Sequence, residues 1–138
     1  MGRNAGVSDL LDTHILLWWL AEPRRLSRSQ TRAISKASAE RPLLISEISL
    51  WEVASLVERG RIRLNRPLRD WLEEASAPPL VRRCGISPAV VAEMVALAGT
   101  LDWDPADRII VATARVHGAR VLTADRRMIE SHLVATVD

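Results

Sequence analysis

Four carboxylates stand in apolar company. Asp12 interrupts "LLDTHILLWWL", and Glu52 lies in "SLWEVASLV" with Ile48 and Leu56 on its helical face. Asp107 opens "DRIIVATA", with Ile110, Val111 and Ala114 three, four and seven residues on, and Asp125 ends the apolar run "VLTAD". Carboxylates that point into a core together repel one another and lose hydration unless a positive charge meets them. The economical counter-charge is a hard divalent cation, which takes oxygen ligands. Mg²⁺ or Mn²⁺ on a few carboxylates is apparatus for phosphodiester hydrolysis, because the ion polarises the phosphate and lowers the pKa of the attacking water. Each acid also has a plainer reading. Asp12 and Asp125 can cap the helices that follow them, and Glu52 can reach an arginine.

The stretch "DWDPADR" (102–108) poses that choice most sharply. Asp104 reads as an N-cap and Pro105 fits the first helical position, while Asp107 stands where a capping box places its acid. Asp107 alone shares the apolar face, so it is expected to point inward and Asp104 to cap.

The elements that must position these acids alternate. Residues 7–12 read as a strand, 14–21 as a helix, and 27–40 as a polar helix with a Ser start. Residues 42–46 read as a buried strand and 47–59 as a helix stopped by Gly60. Residues 62–64 form a short extended piece, 67–77 a wet helix bearing Asp70, Glu73 and Glu74, and "VRRCGI" a strand. Helices follow at 88–99 and from Pro105 to Gly118, then a strand at 119–124, a helical turn at "DRRMIES" and a last strand in "HLVATV". Such alternation argues for βαβ units and a mostly parallel sheet, whose ligand sites form at the carboxyl ends of the strands. Asp12 and Asp125 fall on that edge, and Asp104 and Asp107 open a helix beside it.

Composition narrows the classes. With 138 residues, 48% hydrophobic and 26% charged, residues 1–138 read as a single ordinary globular domain. "ILLWWLA" is too short to cross a membrane, and no signal pattern precedes it. The single cysteine, Cys84, excludes an internal disulfide framework and fits a reducing, cytoplasmic setting as a core thiol. The net charge is +2, yet Lys36 is the one lysine among 19 basic residues. Arginine suits phosphate, but clusters such as 24–28, 59–69, 82–83 and 126–127 also read as solvated faces. His14, His117 and His132 share no spacing with a cysteine, so a zinc site is not indicated, and His14 reads as structural. Trp18, Trp19 and Trp51 are expected in core or interface, Trp71 and Trp103 at the surface. No glycine-rich phosphate loop is present.

In order along the chain, "LLDTHILLWWL", "ISEISLWEVASL", "DPADRIIVATA" and "VLTAD" resemble the signatures of PIN-domain ribonucleases, most nearly the toxin component of VapBC-type toxin–antitoxin pairs. The resemblance runs from about Leu10 to Val137. It implies a PIN-like three-layer α/β/α sandwich with a short, mostly parallel sheet, and Mg²⁺- or Mn²⁺-dependent endonucleolytic cleavage of RNA. Asp12, Glu52, Asp107 and Asp125 fall on the four family acids, and Thr13, Ser49 and Thr123 where hydroxyls support them. Asp104 matches a "DPxDR" form found in part of the family. The resemblance further implies a homodimer and a small antitoxin over the active edge, with helices 14–21 and 47–58 as contact surfaces. Two other classes stand beside it. A haloacid dehalogenase-type phosphatase needs a second Asp where His14 stands and a lysine near the site. A non-catalytic module would use the acids only to bind.

Overall fold

A computed structural model describes residues 8–138, so Val7, the expected start of the first strand, lies outside the described residues. Five strands, β1 (Asp9–Leu11), β2 (Leu43–Ser46), β3 (Val81–Cys84), β4 (Arg120–Leu122) and β5 (Thr136–Val137), form one sheet in the order β3-β2-β1-β4-β5, with every pairing parallel. Leu10 pairs with Leu44 and Val121, and Leu11 with Ile45 and Leu122.

That register explains the layers, because successive strand residues face opposite sides. Leu10, Leu44 and Val121 pack with Val90, Leu97, Ile110, Val111 and Ala114, from or beside helices α5 (Pro88–Ala96) and α6 (Pro105–His117). Leu11, Ile45 and Leu122 pack on the other side with Ile15 and Leu16 of α1 (Thr13–Ala21) and Ala33 and Ile34 of α2 (Arg28–Ser35). The result is a helix–sheet–helix sandwich. A smaller cluster joins Val53 of α3 (Glu47–Glu58) to Trp71 and Ala75 of α4 (Leu68–Ala75). The last helix is α7 (Arg126–Ser131).

Local chemistry sets the helix ends. Ser27 and Gln30 form a complete capping box at α2, and Ser87 with Pro88 starts α5. Gly118 ends α6 at φ +65°, a left-handed conformation that favours glycine.

The structure departs from the sequence reading in several places. Trp71 and Trp103 are buried at 9% and 7% exposure instead of lying at the surface, while Trp51, expected in core or interface, is 60% exposed and so not in the core. Residues 62–64 join no strand; Ile62 and Leu64 pack on the Val53–Trp71 cluster instead. Helix α2 stops at Ser35 rather than running to 40, and α5 stops at Ala96 rather than 99. Cys84 is buried as expected, and burial pushes its thiol pKa up, which suits a packing residue.

Candidate active site

The carboxyl ends of β1 and β4 lie side by side at the middle of the sheet. Asp12 follows β1 at once and caps α1: its Oδ1 accepts the Ile15 N–H at 2.9 Å. The Thr123 hydroxyl, just past β4, donates to Asp12 Oδ2 at 2.5 Å and accepts the Asp125 N–H at 3.0 Å. One buried hydroxyl therefore links the first and fourth acids. Gln30, reaching from α2, fixes this corner by donating to the carbonyls of Thr123 (3.1 Å) and Val137 (3.2 Å). Nothing in the local sequence pattern marks Gln30 for that role, since its two acceptors are 93 and 107 residues away.

Glu52 arrives from α3. The Thr13 hydroxyl donates to Glu52 Oε1 and pairs with Ser49 Oγ at 2.9 Å; all three expected hydroxyls are buried, Thr13 and Thr123 bonded to acids and Ser49 to Thr13. Asp107 sits in the first turn of α6, where Oδ2 meets Arg127 Nη2 at 3.3 Å. Asp125 caps α7, its Oδ1 accepting the N–H groups of Arg127 (2.9 Å) and Met128 (3.3 Å).

Asp12, Glu52, Asp107 and Asp125 line one cleft of about 410 Å³, with Thr13, His14, Trp18, Asp104, Ile110 and Ala124 completing its wall. Asp104 is exposed and caps α6 through Oδ1 to the Ala106 N–H at 2.9 Å, so it is both the expected cap and part of the rim. The loop that carries it is held by Arg108, which donates to Thr100 Oγ1 and the Met94 carbonyl, each at 3.2 Å. His14, read from the sequence as structural, is exposed on the cleft wall. Arg127 and Trp18 were not singled out as site residues; the first is one arginine among many, and the second lies in a stretch that reads as core.

The electrostatics separate this group from an ordinary buried acid. Burial raises the pKa of Asp12 against the pull of the Thr123 and Ile15 hydrogen bonds. Burial also raises Glu52, with the Thr13 bond opposing it and the Asp104 and Asp12 charges adding to it. Asp107 is pushed from 3.8 up to about 6, first by burial and then by the charges of Asp125, Glu52 and Asp104, with Arg127 only partly offsetting them. Asp9 offers the contrast. It is 4% exposed, lies at the opposite end of β1, and is gripped by both Arg120 Nε and Nη2 at 2.9 Å. A forked arginine makes Asp9 a structural ion pair, whereas the cleft acids hold surplus negative charge.

Their donor set is all carboxylate oxygen, the chemistry that a hard divalent cation takes. Among the described residues no group of three or more His, Cys, Asp or Glu side chains is drawn tightly enough to hold an ion. Each acid is instead engaged locally: Thr123 and Ile15 bond Asp12, Thr13 bonds Glu52, the α7 N-terminus bonds Asp125, and Arg127 contacts Asp107.

A family model described as "PIN domain" matches residues 10–131. The chain is 45% identical over 119 residues to Ribonuclease VapC22 of Mycobacterium tuberculosis, spanning 86% of this chain and 88% of that protein. Among solved structures, VapBC2 from Rickettsia felis bound to a promoter DNA fragment superposes with TM-score 0.72 at 14% identity, covering 95% and 98% of the two chains. A toxin–antitoxin complex from Klebsiella pneumoniae gives 0.64 at 21% identity, covering 94% and 96%.

Proposed function

The chain belongs to the PIN-domain family, and from that premise we propose that residues 1–138 act as one domain that cuts RNA endonucleolytically with a divalent cation, as the cytoplasmic toxin of a toxin–antitoxin pair. The observation that carries this reading is the convergence of Asp12, Glu52, Asp107 and Asp125 on one cleft at the carboxyl edge of the sheet. Asp12, Asp107 and Asp125, with Glu52, are the residues that would hold Mg²⁺ or Mn²⁺. A bound ion of this kind supplies charge to the scissile phosphate and acidity to the attacking water.

The chain's own groups prepare that chemistry. Thr123 orients Asp12 and the backbone of Asp125 from a single buried position. Thr13 and Ser49 aim Glu52 across the cleft. Asp107, pushed to about 6, holds a proton in mildly acidic medium and releases it near neutrality, when its carboxylate becomes free to ligate. Thr13, Ser49 and Thr123 are positioning residues on this reading, and Asp104 is a cap at the rim. Unpaired RNA is the favoured substrate form, because its unstacked bases are open to sequence-specific contacts.

A cognate antitoxin and a second copy of the chain are part of the same proposal. The Klebsiella pneumoniae complex supports the first by its likeness in fold. Exposed Leu20 on α1 and Trp51 on α3 support protein contact on the two helices that the sequence marks for it. A dehalogenase-type phosphatase is not favoured: the one lysine, Lys36, lines a separate cleft with Arg32 and Arg120. The test is incubation of single-stranded RNA with Mg²⁺ or Mn²⁺. Cleavage that EDTA stops and Asp12→Asn abolishes supports the enzyme, and RNA binding without turnover supports a binding module.

A further inference from the structure

Arg127 touches two of the four acids by different groups. Its backbone N–H donates to Asp125 Oδ1 at 2.9 Å, and its side chain meets Asp107 Oδ2 at 3.3 Å. The guanidinium carbon lies 4.8 Å from the centre of the Trp103 ring. Trp103 is 7% exposed and packed in the core, so the indole is a fixed shelf. The Arg127 side chain is 46% exposed, which leaves the guanidinium open to water away from that shelf.

The grip on Asp107 is loose. It is one 3.3 Å contact, whereas Arg120 holds Asp9 with two at 2.9 Å. A cation held by a single long contact exchanges readily for a stronger one, while stacking on an indole keeps the displaced guanidinium near the cleft. A second guanidinium stacks on a cleft tryptophan, Arg25 over Trp18 at 4.4 Å, but its carboxylate partner is Glu22 and not a cleft acid. Arg127, by contrast, is ion-paired with a cleft acid.

We propose that Arg127 is a positioning residue with two stations: counter-ion to Asp107 in the metal-free protein, and anchor for an RNA backbone phosphate at the cleft mouth once a divalent cation has taken Asp107. The proposal rests on the ribonuclease reading above. Its chemistry needs no new group. The guanidinium exchanges one oxyanion for another of matching geometry, and the Trp103 shelf keeps its plane in place throughout.

Two binding measurements on the full chain test it. Calorimetric titration with Mg²⁺ alone reads the first station: Arg127→Gln removes the competitor and tightens Mg²⁺ binding roughly twofold to fivefold, the range of a part-exposed ion pair. Anisotropy of a labelled single-stranded RNA with all four acids intact and Ca²⁺, which also takes an all-oxygen site, in place of Mg²⁺ reads the second. Removing one phosphate contact flattens the slope of log Kd against log salt by about 0.7, a change that a merely structural role does not produce. If Arg127→Gln melts too low to measure, Arg127→Met, which keeps the apolar stem over Trp103, is read by the same criteria. An unchanged Mg²⁺ affinity, or an unchanged salt slope, overturns the proposal while wild-type binding and cleavage leave the ribonuclease reading standing. A wild-type protein that binds neither Mg²⁺ nor RNA overturns both.

Discussion

Replacing Asp107 with asparagine separates the cost of assembling the site from its use. The Asp107 carboxyl rises from 3.8 in its ordinary state to about 6 in the fold, a gap of about two units, or about 3 kcal/mol at 1.36 kcal/mol per unit. A quarter of the side chain is open to water, and discounting for that leaves about 1–2 kcal/mol. The sign follows from linkage. A folded-state value above the unfolded one means that the fold prefers the proton, so the metal-free protein loses stability as pH rises from about 4 through about 6. Above that window the full cost is present, and below it none is. Asp107→Asn is therefore expected to raise the melting temperature of the metal-free protein at pH 7.5 by roughly 3 to 8 °C and to change it little at pH 4. The Arg127 partner is nearly half exposed, so its loss of Asp107 takes back little. The assay is a thermal melt in EDTA at both pH values. A variant less stable than wild type at pH 7.5, or equally stabilised at both pH values, refutes the electrostatic argument.

Asp104→Asn keeps a side-chain oxygen for the Ala106 N–H, so it should cost a few tenths to about 1 kcal/mol in a melt and retain most RNA cleavage. Arg120→Ala strips Asp9 of its fork and should cost about 2–3 kcal/mol, with the rate per folded molecule unchanged because the pair lies at the far end of the sheet. Thr123→Val removes the hydrogen bond that lowers the Asp12 pKa, so the Mg²⁺ concentration needed for half-maximal cleavage should rise, and rise more at pH 6 than at pH 8.

The parallel sheet was legible because strand-like and helix-like segments alternate along the chain, and the three layers were legible only through the resemblance to PIN domains. Leu10 and Leu11, or Val121 and Leu122, must face opposite sides, and helices of a dozen residues must cover both. The four acids were legible because each is a charge in an apolar pattern. The choice between cap and site was not a true choice: Asp12, Asp104 and Asp125 each accept a helix N–H and also line the cleft. An aspartate at the carboxyl end of a parallel strand meets the next helix N-terminus and the site together. What stayed hidden depends on distant partners. Trp71 is covered by residues near Val53 and Leu17, and Trp103 packs in the cluster of Ile110 and Met128. Gln30 and Arg127 look like surface polar residues until tertiary structure brings Thr123 and Asp107 beside them.

The central claim is that four carboxylates act as one metal-dependent hydrolytic site. Its most direct test is the initial rate of RNA cleavage at saturating Mg²⁺ for Asp12→Asn, Glu52→Gln, Asp107→Asn and Asp125→Asn, each paired with a melt to show that it is folded. All four should be folded and slower by orders of magnitude. A folded member of the four that cuts RNA at the wild-type rate, or wild-type protein that cuts at full rate in EDTA, would contradict the claim.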